Sequence, residues 1–427
     1  MSEPSLSLTT VRSPKILPSR IPIEEEMYRH YNPKAFYPVI PGEVFHNSYK
    51  AIVKLGFGSH STVWLAEDLR EDSHGYVAIK FKNCDHVNEE SAEHELDISQ
   101  HIATADPSST GFGAVRTVED DFEAETHYGK HKCLVYLPMR ESLCTYRQRF
   151  EDNKLPVPIL KAYSKILLLG LSYLHSTCGV VHTDLKLENI LVTFEDPSVL
   201  LEFVELHSNL PQPQKIGELR TMYQSCNDFG ELKSLRMMPM IADLGLAQRG
   251  HSSKERITPI QTDCYRAPEV ILGAGWTYST DIWNLGVLIW ELLENKPLFT
   301  MVHSSDCKYN ARTHLAEMIA LLGTPPDNLL QRELEGREFR WRTSLENDEG
   351  KLCDRAIDFF GGPFFDSRGG YMYPNLIPDR PKLEDSITSL EGDEKQLFFS
   401  FIKKLLTWWP KDRRAAEELF EDPWLKI

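Results

Sequence analysis

Asp184, Lys186 and Asn189 fall within eight consecutive residues, His182-Thr183-Asp184-Leu185-Lys186-Leu187-Glu188-Asn189, and Asp243-Leu244-Gly245 follows later in the chain. A carboxylate, an ammonium and two oxygen donors in this order are the groups needed to move the γ-phosphoryl of ATP. The carboxylate orients the attacking hydroxyl, the cation sits against the transferred group, and the oxygens hold magnesium. An Asp five residues before an Asn is common by chance, and a lone Asp-Leu-Gly is usually a turn. The weight lies in their order and in matching pieces on either side.

Such a centre needs elements to hold it. Tyr49 to Leu55 alternates as a strand, and Gly56-Phe57-Gly58-Ser59-His60-Ser61-Thr62-Val63 follows. Further strands fit Val63 to Glu67 and, after the Ser73-His74-Gly75 turn, Tyr76-Val77-Ala78-Ile79-Lys80. A glycine-rich turn between strands lets backbone N–H groups approach phosphates without a Cβ in the way. By itself G-x-G is more often an ordinary hairpin, and Ser61 stands where a third glycine would complete G-x-G-x-x-G. Lys80 strengthens the reading, because an ammonium on an apolar strand requires an anion. The stretch Asn88 to Ile102 reads as a helix in which Glu95 can pair with Lys80, with Glu90 and Glu93 as competitors.

Downstream, Ile166, Leu169, Gly170, Tyr173 and Leu174 form a helical face leading into His182, and a second apolar helix spans about Thr280 to Leu293. Residues 195–238 and 300–395 read as insertions, the first partly helical. Residues 1–36, rich in Ser and Pro, read as a disordered leader, with the Glu24-Glu25-Glu26 run unsuited to a mitochondrial transit peptide.

The chain of 427 residues is long enough for at least two domains or lobes. Its net charge of −16 disfavours a general nucleic-acid-binding surface and favours cationic partners, although acidity more often simply keeps a protein soluble. No apolar run reaches the length of a membrane span, the longest being broken at Gly170. Eight cysteines without a C-x-x-C pair point to reduced thiols, in the cytoplasm or nucleus.

Taken together, Gly56 and Gly58, Lys80, His182 with Asp184, Lys186 and Asn189, Asp243, and Ala267-Pro268-Glu269 resemble the eukaryotic protein kinase family over about residues 45 to 427. Tyr265-Arg266-Ala267-Pro268-Glu269 and the segment His314 to Pro325 resemble the group of cyclin-dependent, MAP and SR-protein kinases. His182-Thr183-Asp184 and the Gly58 to Leu65 loop are most similar to the SR-protein kinases, fungal members above all. The resemblance implies an α+β, bilobal fold: a leader (1–36), a β-rich N-lobe with hinge (37–140), and a helical C-lobe (141–427) carrying both insertions.

It also implies roles. Lys80 would hold the α- and β-phosphates with Glu95 fixing it; Leu55, Gly56, Gly58, Ser59, Val63 and Ala78 would surround ATP. Tyr136 would be the gatekeeper, with adenine bonded to Leu137 C=O and Met139 N–H. Asp184 would orient the substrate hydroxyl, Lys186 would neutralise the moving phosphoryl group, and Asn189 and Asp243 would bind magnesium. Thr262 would sit near Lys186, Asp281 would brace the catalytic loop, and Arg413 would pair with Glu269, the last two as structural contacts. The implied activity is ATP- and magnesium-dependent phosphorylation of Ser or Thr in basic, Arg/Ser-rich protein segments, in mRNA splicing regulation. The implied state is a monomer, with no direct nucleic-acid or membrane partner. A pseudokinase acting as a binding module is the alternative, disfavoured because Lys80, Asp184, Asn189 and Asp243 are all present.

The chain also departs from the family pattern. Leu187 replaces a proline and Leu244 a phenylalanine; Asp263 falls where relatives often carry Arg, and Lys308 and Arg312 lie in a turn that tends to be acidic in SR-protein kinases. Thr183 replaces the arginine that grips an activation-segment phosphate. A phosphate on Ser252, Ser253 or Thr258 would lack that anchor unless Arg249, Lys254 or Arg256 replaced it, so constitutive activity is expected.

Overall fold

In the computed structural model the described residues are 13–71, 73, 75–250 and 256–426. They form an α+β protein of two compact units. The first comprises Met1–Gln100, Arg116–Glu141 and Val192–Met237; the second comprises His101–Val115, Ser142–Leu191 and Met238–Ile427.

The first unit is built on an antiparallel sheet of β1 (Val44–Phe45), β2 (Tyr49–Gly58), β3 (Ser61–Asp68), β4 (Tyr76–Lys82), β5 (Asp120–Thr126) and β6 (Gly129–Tyr136). The order is β1-β2-β3-β4-β6-β5. Period-two alternation aims Trp64, Ala66, Ile79, Phe81, Cys133 and Val135 into one core with Phe45 and Phe122. Burying such a side chain contributes about 2 kcal/mol. Helix α1 spans His86–Ala105.

Two expectations need correcting here. Within the 1–36 leader, residues 13–36 are ordered: Ile16 pairs with Gln214, Glu24–Met27 makes a 3-10 turn, and Glu25, Ala35 and Phe36 are buried. Residues 1–12 lie outside the described ones. The glutamates explain the order. Glu25 meets Lys54 at 2.6 Å and Arg220 at 2.5 Å, and Glu26 meets Lys215 at 2.7 Å. The charges that make the segment look solvated are neutralised by cations distant in sequence.

The 195–238 insertion, assigned above to the C-lobe, belongs instead to the first unit. Its helix Pro197–Asn209, begun by an Asp196 cap on Ser198 N–H, places Val199, Phe203 and Val204 against Val53 and Leu65 of the sheet. Its hairpin, Gln214–Ile216 with Thr221–Tyr223, adds Tyr223 against Trp64. Gln212 bonds both the N–H (2.8 Å) and the C=O (3.0 Å) of Lys54, standing in for a strand partner beside the register shift in β2.

The second unit is helical. Ser279–Glu294 is buried along nearly its whole length, including Trp283 and Trp290, as expected for a helix apolar all round. A Cβ at Gly286 would lie 2.8 Å from Leu406 Cδ2, so only glycine lets Leu405 and Leu406 approach this closely. In Val157–Ser172 the buried stripe is Leu160, Tyr163, Leu167, Leu168 and Leu171, with Gly170; Ile166 and Leu169 are only half-buried. Gly170, Tyr173 and Leu174 of the predicted face are buried as expected, but at Ile166 and Leu169 the adjacent leucines offered a second stripe and packing chose that one. The helical stretch Glu151–Thr177 is apolar and long enough to cross a membrane by composition, but its leucines are core side chains. Within the 300–395 insertion lie helices Ala311–Leu322 and Asp327–Gly336 and the hairpin Leu345–Glu346 with Leu352–Cys353.

Candidate active site

The structure divides the predicted site residues between the units. Leu55, Gly56, Gly58, Ser59, Val63, Ala78, Lys80, Glu95, Tyr136, Leu137 and Met139 lie in the first; Asp184, Lys186, Asn189, Asp243, Thr262, Glu269, Asp281 and Arg413 lie in the second.

In the first unit, Lys80 and Lys82 alternate to the same face of β4, and both reach Glu95. Lys80 Nζ lies 2.8 Å from Oε1 and 3.0 Å from Oε2, and Lys82 Nζ lies 3.1 Å from Oε2. The Tyr136 hydroxyl donates to Oε1 at 2.7 Å, and burial pushes its pKa well up, so it stays a protonated donor. Arg116 stacks on the Tyr136 ring, 4.5 Å from its centroid, and donates to Leu137 C=O at 2.7 Å. That hinge carbonyl is already engaged, so an adenine amino group would have to share it.

The glycine-rich turn fits a nucleotide for a reason internal to this structure. A Cβ at Gly56 would meet nothing within 4 Å, and one at Gly58 only Ser61 Oγ at 3.5 Å. Neither glycine has a positive φ. Neither backbone strain nor packing requires glycine, and the turn leaves room for an outside group to approach the backbone. Ser61 pairs with Gly58 across the hairpin and leaves this space open.

In the second unit the catalytic-loop residues converge. Asp184 Oδ2 accepts from Lys186 Nζ at 2.7 Å and Asn189 Nδ2 at 2.9 Å; its Oδ1 accepts from Thr262 Oγ1 at 2.7 Å. Lys186 also donates to Thr262 Oγ1 at 3.2 Å. Asn189 Nδ2 bonds Asp184 C=O as well, which leaves Oδ1 as the amide's oxygen donor. Ala242 N–H donates to Asn189 C=O at 2.8 Å, setting the neighbouring Asp243 beside Asn189. His182 Nδ1 accepts from Asp184 N–H, so its Nε2–H donates to Ala242 C=O at 3.0 Å.

The donor set suits magnesium. Among the described residues no group of three or more His, Cys, Asp or Glu gathers to hold a metal alone. Magnesium is typically bound by one or two carboxylates with substrate phosphates and waters, and an Asp with an Asn supplies hard oxygens of that kind.

Left-handed backbone marks the same region. Thr183 (φ 68), Asp243 (φ 63) and Gln261 (φ 69) adopt a conformation that L-residues avoid, at roughly 1–3 kcal/mol each. Tertiary bonds hold Thr183 and Gln261 there. Asp281 accepts from His182 N–H (2.8 Å), Thr183 N–H (3.0 Å) and His175 Nε2 (2.8 Å), and Thr183 Oγ1 donates to Leu246 C=O (2.7 Å). Gln261 donates to Thr280 C=O and Asn284, accepts from Ala267 N–H, and has its own C=O bound by Arg266. Arg413 and Glu269 form a fully buried, two-pronged pair. Sequence reading missed Lys82, Arg116, His175 and Gln261. Only Lys82, two residues from Lys80, carried a local signal.

Asp263 is engaged by Arg266 at 3.0 Å and His303 at 2.9 Å, while Arg312 bonds Gly361 C=O and covers the Tyr373 ring. Ser252, Ser253 and Lys254 lie outside the described residues.

Residues 49–425 match the protein kinase domain family. A serine/threonine protein kinase of Aspergillus fumigatus is 34% identical over 96% of this chain and 92% of its own length. The serine/threonine-protein kinase SRPK of Physarum polycephalum is 27% identical over 94% of this chain and 91% of its own. A solved crystal structure of a kinase domain superposes with a TM-score of 0.65 at 23% identity, covering 92% of this chain and 99% of the other, which supports the fold. The chain belongs to the protein kinase family, as a serine/threonine kinase of the SR-protein-kinase type.

Proposed function

We propose that this kinase uses ATP and magnesium to phosphorylate serine or threonine in basic, arginine-rich protein segments. The observation that carries the transfer step is the Asp184 carboxylate. Lys186, Asn189 and Thr262 take three of its four acceptor positions, and none of the described residues takes the fourth, on Oδ1. A substrate hydroxyl donating there is oriented for attack, and Asp184 receives its proton as the phosphoryl group transfers. Lys186 offers its remaining donor to the charge on the moving group, and Lys80 binds the nucleotide phosphates. When bound by Asn189 and Asp243, magnesium would neutralise charge on the phosphate oxygens.

The net charge of −16 supports a cationic substrate, as does Glu188, exposed on the catalytic loop. Asp263 is a poorer acceptor for a substrate arginine, since Arg266 and His303 already bind it. The bonds that hold Thr183 and Gln261, made without any phosphate, support activity without activation-segment phosphorylation.

The test is purified protein with magnesium-ATP, an Arg/Ser peptide, a matched peptide without arginine, and a generic basic protein. Phosphoserine on the Arg/Ser peptide, formed more slowly as salt is raised, is the expected result. Preference for proline after the serine with no benefit from arginine would replace the substrate assignment. No transfer to any substrate would favour a binding module.

A further inference from the structure

Glu95 is bonded in a way that a simple lysine–glutamate pair does not require. Its Oε1 accepts from Lys80 and Tyr136, and its Oε2 from Lys80 and Lys82. A carboxylate offers about four lone-pair positions, and these four contacts fill them. All four are charge-assisted, three of them from ammonium donors, and the site is nearly closed to water, with Glu95 only 1% exposed. The donors come from separate elements, β4 and the end of β6, so helix α1 is tied to the sheet at two points through one side chain. Tyr136 is itself held, since Arg116 lies over its ring and bonds the next carbonyl along the chain.

We infer that Tyr136 and Lys82 are positioning residues, which together lock Glu95 so that Lys80 remains aimed at the nucleotide phosphates without an activating input. The inference rests on the nucleotide role given to Lys80 above. Swinging α1 away would break every bond on the Glu95 carboxylate at once and strand it among buried cations. Either Tyr136 or Lys82 alone leaves Glu95 a second tether besides Lys80. The two should therefore back each other up.

Tyr136→Phe removes one oxygen and keeps the ring under Arg116; Lys82→Met keeps the stem and removes the ammonium. Each should raise the Kd for magnesium-ATP about 3-fold to 10-fold, less than the full worth of a hydrogen bond to a charged group because the loss reaches the nucleotide only through Glu95 and Lys80. The double variant should lose more than the product of the two, because only then are both of these tethers gone. Lys82→Arg should restore affinity. Hydrogen exchange of the α1 amides from Ser91 to Gln100 should quicken in the same order, with or without nucleotide.

Unchanged Kd and unchanged α1 exchange in the double variant would overturn the inference. So would a lowered melting temperature with Kd and α1 exchange intact, since that is what mere core filling predicts. If the unsubstituted protein failed to bind magnesium-ATP, the nucleotide reading of Lys80 would fall with the inference built on it. Quickened α1 exchange would then still show the lock itself.

Discussion

Glu95 and Asp184 are both carboxylates held by lysine, and they are held differently. Every acceptor position on Glu95 is filled and its side chain is 1% exposed. Asp184 keeps one position open among the described residues, and its side chain is 10% exposed. A saturated carboxylate can only position its neighbours. One that is oriented from three sides and open on the fourth can accept a proton from something new. Glu269 and Glu25 are closed in another way: each carboxylate oxygen is bonded to a cation, and both residues are fully buried, so nothing from solvent reaches the positions that remain. Access to an open acceptor position, more than residue type, separates the structural carboxylates from the reactive one.

The strongest attempt to break this comparison is Asp184→Asn. It should lower kcat by a factor on the order of 10³ or more while leaving the melting temperature unchanged. Near-normal turnover would remove Asp184 from the reaction. Arg413→Ala tests the structural class, because it strands Glu269 uncompensated in the core. Urea unfolding should show a loss of about 3–5 kcal/mol, with kcat per folded molecule little changed. A large kcat effect without loss of stability would place Glu269 with Asp184.

Glu25→Gln is a gentler probe. Lys54 retains Glu24 at 3.4 Å, so the expected loss is smaller, about 1–3 kcal/mol. Because Lys54 lies over the Phe57 ring and Tyr28 packs edge-on to it, KM for ATP should rise as the glycine-rich turn loosens. Stability loss with KM unmoved would confine the 3-10 turn to a structural role. The smallest expected effect is from phosphatase treatment: protein made in bacteria should phosphorylate a basic peptide equally fast before and after. A large fall, restored by phosphate on Ser252, Ser253 or Thr258, would show that the bonds at Thr183 and Gln261 do not suffice without a phosphate anchor.

Some of this was legible along the chain. The catalytic loop is local: Asp184, Lys186 and Asn189 bond one another across two to five residues, so their spacing carried the geometry with it. Strand β4 was legible because apolar alternation is also local. The ordered 13–36 segment was not, because Glu25 binds Lys54 29 positions away and Arg220 195 positions away. A glutamate run looks solvated until its cations are known.

The sequence by itself determined which chemical groups are present and which of them are neighbours: the Asp-x-Lys-x-x-Asn loop, the Lys80 strand and the two glycines with room for a phosphate. Tertiary structure decided which groups were saturated and which were left open. Tyr136 reaches Glu95 across 41 positions, Thr262 reaches Asp184 across 78, and Asp281 holds Thr183 across 98. Hydrogen-bond saturation depends on distance in space, which no pattern of spacing along the chain encodes.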